Sequence, residues 1–129
     1  MSSRDVIAGI LAAHPLDYAV IDELRSLQDG AESDLVAEVV NLFLADSPRR
    51  LAAMAQAIEA GDAANLRREA HGLKGSAANV GGVGVRAICE HLERLGRTGS
   101  VGGADQLFEG LSVEYGRLVE SLTSCIRAA

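Results

Sequence analysis

RREAHGLKGSAANVGG, residues 67–82 of the chain, places a histidine and a lysine three positions apart among alanines and glycines. The apolar residues of this region recur at alternating spacings of four and three, which puts them on one face of a helix. They are Leu66, Ala70, Leu73, Ala77 and Val80. The spacing predicts a helix over residues 63–80 with one buried face.

The helical period continues on both sides of this stretch, with no strand pattern and no repeat. We therefore expect four further helices, over residues 16–28, 34–60, 83–96 and 104–127. Pro48 falls inside the second of these and is expected to kink it without ending it, because the apolar stripe keeps its phase. Residues 29–34, DGAESD, are expected to form a loop. Before Pro15 we expect only an opening turn.

Four long amphipathic helices joined by short loops predict the fold class, an all-α antiparallel up-down four-helix bundle. The bundle is expected over about residues 34–127. The helix of residues 16–28 would be an additional short N-terminal helix that caps one end. The length of 129 residues suits a single domain over residues 1–129.

Composition and charge exclude several function classes. Twelve Lys and Arg against 18 Asp and Glu give a net charge of −6, which argues against a nucleic-acid binder. No apolar run is long enough to span a bilayer, and the first residues do not form a secretory leader. Cys89 and Cys125 have no metal-ligand spacing, so we expect no metal site. We expect a cytoplasmic monomer. Eleven of the twelve cationic residues are Arg, and this bias, with abundant Ala and Gly, suggests a GC-rich genome and therefore a bacterial protein.

One face of the 63–80 helix carries the only constellation that suggests chemistry. Arg67, His71, Lys74, Gly75 and Ala78 share this face, because residues three and four apart are neighbours on a helix. The face lies beside the buried stripe, so the histidine is expected at the solvent edge of a groove. An exposed neutral imidazole is a good nucleophile, and an adjacent cation stabilises an anion held there.

The glycines of this helix oppose local propensity, since each costs up to about 1 kcal/mol relative to Ala. Such conflicts concentrate at functional sites. We expect the missing side chains of Gly72 and Gly75 to let another protein bring an active group up to the histidine. The spacing alone leaves a second interpretation equally open, in which the histidine is a surface residue and the glycines only pack helices.

The stretch AHGLKGSAANVGG, followed by ICEHLE, resembles the signature of histidine-containing phosphotransfer (HPt) domains. The similarity extends to FLADSPRRL and the turn AGD, and it covers about residues 16–124. It implies a phosphocarrier of a multistep His–Asp phosphorelay, not an enzyme. His71 would take a phosphoryl group on Nε2 from a receiver-domain aspartyl phosphate and pass it to another receiver. The protein would need no cofactor of its own, because Mg²⁺ would come with the receiver.

The same resemblance implies roles for three neighbours of the histidine. Lys74 matches the lysine that steadies the phosphoryl group, and Gly75 matches the glycine that leaves room for the receiver. The family often has a Gln or a similar polar residue on the next helix; of Glu90 and Glu93 in that region, Glu93 is the nearest counterpart. A carboxylate there can orient the imidazole through Nδ1–H but repels a phosphoryl group. Its role is therefore open at this stage.

Receiver domains of response regulators or hybrid histidine kinases are the partners that the resemblance implies. They would dock on Arg67, Arg68 and Ala78 and on exposed residues of 16–24 and 39–47, since their active sites are acidic. The two arginines equally fit a solvated helix face. Two other functions stay open: a module that binds receivers without accepting phosphate, and the substrate domain of a larger histidine kinase.

Overall fold

The computed structural model describes residues 2–28 and 34–127, which form six helices and no strand. The helices are α1 (Ser3–Ala12), α2 (Tyr18–Leu27), α3 (Leu35–Ala60), α4 (Ala63–Asn79), α5 (Val83–Arg97) and α6 (Ala104–Arg127). The all-α prediction is confirmed, and each predicted helix begins and ends within two residues of its predicted bounds. Most of the predicted loop, residues 29–33, lies outside the described residues.

Helices α3 to α6 form the predicted antiparallel bundle. Each packs against the next along the chain, and α6 returns against α3. The core between them is aliphatic, because the chain has few aromatic residues. All five apolar residues predicted for the 63–80 helix are fully buried, which fixes the opposite face of α4 toward solvent.

Helix α3 runs without interruption through Pro48, as the sequence predicts. It begins at the N-cap Asp34, whose carboxylate accepts from the amide of Ala37, and ends at Gly61 in the left-handed conformation. The apolar spacing in the sequence of α3 predicts Ala55 as a core residue, and this position is wrong. Ala55 is exposed and Ala57 is buried instead, because a spacing of three from the buried Met54 keeps the side chain on the inner face.

The N-terminal residues form a complete helix, so the prediction of an opening turn is wrong. Helix α1 begins after the N-cap Ser2 and spans ten residues. An isolated helix of this length is only marginally stable in water, so packing supplies the stability that helix propensity does not. Ile7 and Ile10 pack against the core, and Gly110 of α6 provides the space that Ile7 fills. Helix α2, the predicted capping helix, packs on α3.

A buried carboxylate lies between α5 and α6. Glu114 is fully buried; its Oε1 accepts from Nη1 of Arg117 at 2.6 Å, while its Oε2 has no hydrogen-bond partner among the described residues. Burial raises the pKa of this carboxyl, against the effect of the arginine. A side chain on Gly84 would overlap Oε2. The glycine is therefore required by packing.

We expect Gly84→Ala to lower the free energy of unfolding by about 2 kcal/mol, because the added methyl group displaces a buried carboxylate. Gly116→Ala on α6 is the matched control, since nothing lies within 4 Å of the position where its Cβ would be. That variant should gain up to about 1 kcal/mol from helix propensity. Urea denaturation measures both values, and a gain in both variants would contradict the packing argument.

Candidate functional site

His71 lies on the solvent side of α4, with 68% of its side chain exposed. The exposure follows from the helix register, because Ala70 and Leu73 on either side of it point into the core. The prediction of an exposed imidazole is therefore confirmed. The ring is accessible to a partner while its backbone belongs to a well-packed helix.

The buried carboxylate of Glu93, on α5, contacts three cationic or polar side chains. Its side chain is only 3% exposed. Oε2 lies 2.9 Å from Nδ1 of His71 and accepts from Nη2 of Arg97 at 2.9 Å, while Oε1 accepts from Nζ of Lys74 at 2.6 Å. We call these four residues the Glu93 cluster.

The close approach of α4 and α5 allows this cluster to form. A Cβ on Gly96 would lie 2.8 Å from the carbonyl oxygen of Ala63 and from Cβ of Arg67, so only glycine fits there. The residue is buried three positions after Glu93. Helix α5 therefore holds its carboxylate directly beneath the edge of α4.

The charge state of Glu93 fixes the tautomer of the histidine. The hydrogen bond from Lys74, and after it the one from His71, holds the pKa of this carboxyl below its ordinary range, although burial acts in the other direction. The group is therefore ionised at neutral pH and only accepts hydrogen bonds. Nδ1 of the ring carries the proton and donates to Oε2, which leaves the lone pair of the neutral ring on Nε2.

A basic cleft of about 400 Å³ opens beside the imidazole. Its lining residues are Ala64, Arg67, Arg68, His71, Glu93 and Arg97. Three arginines thus line the cleft together with one carboxylate, which is bound by two cations, Lys74 and Arg97. The repulsion between Glu93 and an anion, which the sequence suggested, is offset by Lys74 and Arg97.

Arg97 is the cluster member that the sequence analysis missed. It stands four residues after Glu93 on α5, the spacing at which opposite charges meet on a helix surface. That spacing is the signal that identifies it. Its guanidinium brings a second positive charge to the carboxylate at Oε2, whereas Lys74 binds Oε1.

Gly75 and Ala78 lie outside the cleft, on the exposed part of α4 that follows the histidine. Nothing lies within 4 Å of the position where a Cβ of Gly75 would be, so the space above it is open. Both residues are available to a partner that covers His71. This open space is where the sequence predicts clearance for a receiver, and that role of Gly75 stays a prediction.

Gly72 does not provide clearance for a partner, so that expectation is wrong. A Cβ there would overlap the guanidinium of Arg50, which crosses from α3. Arg50 donates from Nε to Asp46 at 2.7 Å and from Nη1 to Glu69 at 3.1 Å. The space that the missing side chain leaves is thus occupied by an ion-paired arginine of the same chain.

A second concave surface, with a volume of about 470 Å³, lies on the other side of the exposed face of α4. We call it the α2–α4 hollow. Its lining residues are Leu24, Val39, Leu42, Phe43, Asp46, Ser76, Asn79 and Val80. Leu42 is 72% exposed at this surface and adds apolar area to it. The predicted docking segments 16–24 and 39–47 both contribute to it.

Comparison with known proteins places this arrangement in a family. The model of the Hpt domain matches residues 38–127, which include the whole Glu93 cluster. The chain belongs to the Hpt domain family. Among the described residues of this Hpt protein, no helix has the length and hydropathy to cross a bilayer, and no group of three or more His, Cys, Asp or Glu is placed to hold a metal ion.

The relatives of this Hpt protein include named phosphotransfer proteins. Histidine-containing phosphotransfer protein 4 of Arabidopsis thaliana is 33% identical over 109 residues, covering 83% of this chain and 86% of the relative. Multistep phosphorelay regulator 1 of Schizosaccharomyces pombe is 29% identical over 92 residues, and the match spans only 31% of its length.

A crystal structure of histidine-containing phosphotransfer protein B from Pseudomonas aeruginosa is similar in fold and sequence. It has a TM-score of 0.78 and 32% identity, with 91% of this Hpt protein and 98% of that chain covered. A maize phosphotransfer protein, at 24% identity and a TM-score of 0.79, supports the fold alone. Hpt proteins are phosphocarriers rather than kinases, and in phosphorelays they act with receiver domains.

Proposed function

We propose that this Hpt protein carries phosphoryl groups between receiver-domain aspartates in a multistep His–Asp phosphorelay, with His71 as the phosphorylated residue. The observation that carries the proposal is an exposed imidazole whose Nδ1 is bound by a buried, ionised carboxylate. This hydrogen bond orients the ring and leaves Nε2 as the nucleophilic atom.

The residues around the ring fit phosphoryl transfer, in which positioning and charge matter more than a catalytic base. Lys74 is anchored beside the imidazole by Glu93, and its ammonium is the cation that would steady the phosphoryl group. Arg67, Arg68 and Arg97 add positive charge along the cleft. Metal chemistry would come from Mg²⁺ of the receiver, and this protein would need no cofactor of its own.

Two neighbouring surfaces suit a receiver domain as the partner. The basic cleft complements an acidic active site, and charge complementarity increases the rate of association. The α2–α4 hollow offers the apolar contact area that protein interfaces need at their centre. Gly75 and Ala78 lie on the exposed face of α4 next to this hollow, so a receiver that covers them reaches His71.

The proposal extends to the setting of the protein. We propose a cytoplasmic, monomeric carrier of a bacterial cell. The chain is acidic and has far more arginine than lysine, and the bacterial structure described above covers 91% of it. It would have no autonomous kinase activity, since the matched family is one of phosphocarriers.

Transfer from a charged receiver tests the function. A receiver phosphorylated with labelled acetyl phosphate is mixed with the protein, and the expected product is an acid-labile, base-stable label on the protein within seconds to minutes. A stable complex without any label would favour the non-phosphorylated binding module. Label that arises only from a histidine kinase with ATP, never from a receiver, would favour the kinase substrate domain.

A further inference from the structure

The chemical type of residue 93 has a consequence for the phosphorylated ring. A carboxylate has acceptor oxygens only, so Glu93 forms its hydrogen bond with Nδ1 solely while Nδ1 carries a proton. An amide at the same place accepts from Nδ1–H through its oxygen and, after rotation, donates to a bare Nδ1 through its nitrogen. Glu93 therefore discriminates between two protonation states that a glutamine tolerates equally.

We propose that Glu93 is a positioning residue that keeps the proton on Nδ1 of His71 throughout phosphoryl transfer, so that the ring always leaves phosphorus as neutral imidazole. The inference rests on the proposed function, since it concerns the phosphorylated form of the same histidine. It goes beyond orientation of the ring, because it sets the pH range in which the phosphoryl group can be passed on.

The two transfer steps balance without any proton movement. On loading, the lone pair of Nε2 forms a bond to phosphorus, the bond from phosphorus to the aspartyl oxygen breaks, and its electron pair stays on that carboxylate. The ring, with Nδ1–H retained, becomes a phosphoimidazolium cation. On unloading, the bond from phosphorus to Nε2 breaks, its pair returns to Nε2 and neutral imidazole results. Without the Nδ1 proton the leaving group would be an imidazolate anion, which leaves far more slowly.

The groups that face the ring from both helices determine how strongly its positive charge is stabilised. From α4 these are Lys74, Arg67 and Arg68; from α5 they are Glu93 and Arg97. The cations attract the phosphoryl oxygens but oppose a positive ring. Among the residues that line the cleft, Glu93 is the only acid, and its Oε2 contacts Nδ1 at 2.9 Å. Because the carboxylate is buried while the ring is exposed, water screens this contact less than it would screen a fully exposed pair.

The test uses the full chain phosphorylated with potassium phosphoramidate, which loads histidine without any receiver. Wild type, Glu93→Gln and Glu90→Gln are compared between pH 5.5 and 9. Glu90 is a matched control, because it is an exposed carboxylate on the same helix that pairs with Arg94 rather than with the histidine. The ¹⁵N resonance of Nδ1 reports its proton, and the rate of label transfer to a receiver reports the leaving group.

We expect wild type and Glu90→Gln to retain the Nδ1 proton to a pH about one unit higher than Glu93→Gln does, since a nearby negative charge favours the protonated cation. The transfer rate of Glu93→Gln should then fall about tenfold below wild type at pH 8.5 and match it at pH 5.5, where all three rings are protonated. A uniform loss at every pH would mean a merely structural role and would overturn the inference.

The wild-type resonance is decisive even where Glu93→Gln does not fold. An Nδ1 in phosphorylated wild type that loses its proton at the same pH as free phosphohistidine also overturns the inference. The proposed function has a separate test: it is wrong if the wild-type protein exchanges no label with any receiver. The NMR titration on phosphoramidate-loaded protein is independent of that result.

Discussion

His71→Gln should lower the rate of phosphoryl acceptance from a receiver by about 1,000-fold or more, because an amide nitrogen has no nucleophilic lone pair. The free energy of unfolding should change by less than about 1 kcal/mol, since the side chain is 68% exposed and makes one hydrogen bond, to Glu93. Label transfer and urea denaturation measure the two effects on the same preparation.

His91→Gln on α5 is the control for this variant and should accept the label at the wild-type rate. A phosphorylated His71→Gln protein would assign the reaction to another side chain. A loss of several kcal/mol of stability in His71→Gln would instead make the imidazole a structural group.

The second large effect that we expect is a loss of phosphoryl transfer in Gly75→Leu. The open space above Gly75 accepts a leucine without a clash inside the protein, and leucine is the better helix former by up to about 1 kcal/mol. The protein should therefore be as stable as wild type or slightly more stable. Its transfer rate should fall about 100-fold, because the side chain keeps the receiver aspartate from reaching His71.

Gly116→Leu is the matched variant, since Gly116 is also a helix-interior glycine with open space around it, on α6. It should gain similar stability and transfer phosphoryl groups at the wild-type rate. Equal transfer rates in Gly75→Leu and wild type, measured with the same receiver, would refute the clearance argument.

The amphipathic helices could be predicted because their burial depends on local periodicity. The buried apolar residues of α4 place His71 at the surface, independently of the neighbouring helices. Helix caps such as Asp34 and Gly61 follow from residue type. Helix α1 could not be predicted with the same rules, because ten residues are stabilised mainly by contacts with α6 and α5, which are distant in sequence.

The residues of the candidate site likewise divide into those that local spacing predicts and those that it does not. The shared face of His71 and Lys74 follows from helix geometry alone, and Arg97 lies at a readable spacing from Glu93. Arg50 has no such signal, because it reaches Gly72 from a different helix. The glycine pattern looks identical in sequence at residues 72 and 75, yet one gap is filled by an arginine of the chain and the other is open.

The guanidinium of Arg50 over Gly72 has a further consequence for partner binding. Together with Glu93, it ties the turn of α4 that carries His71 to α3 on one side and to α5 on the other. The histidine therefore stands on a turn that is held in place from both sides. We expect a partner to bind this turn without rearranging it, so that the entropy lost by ordering segments on association falls mainly on the partner.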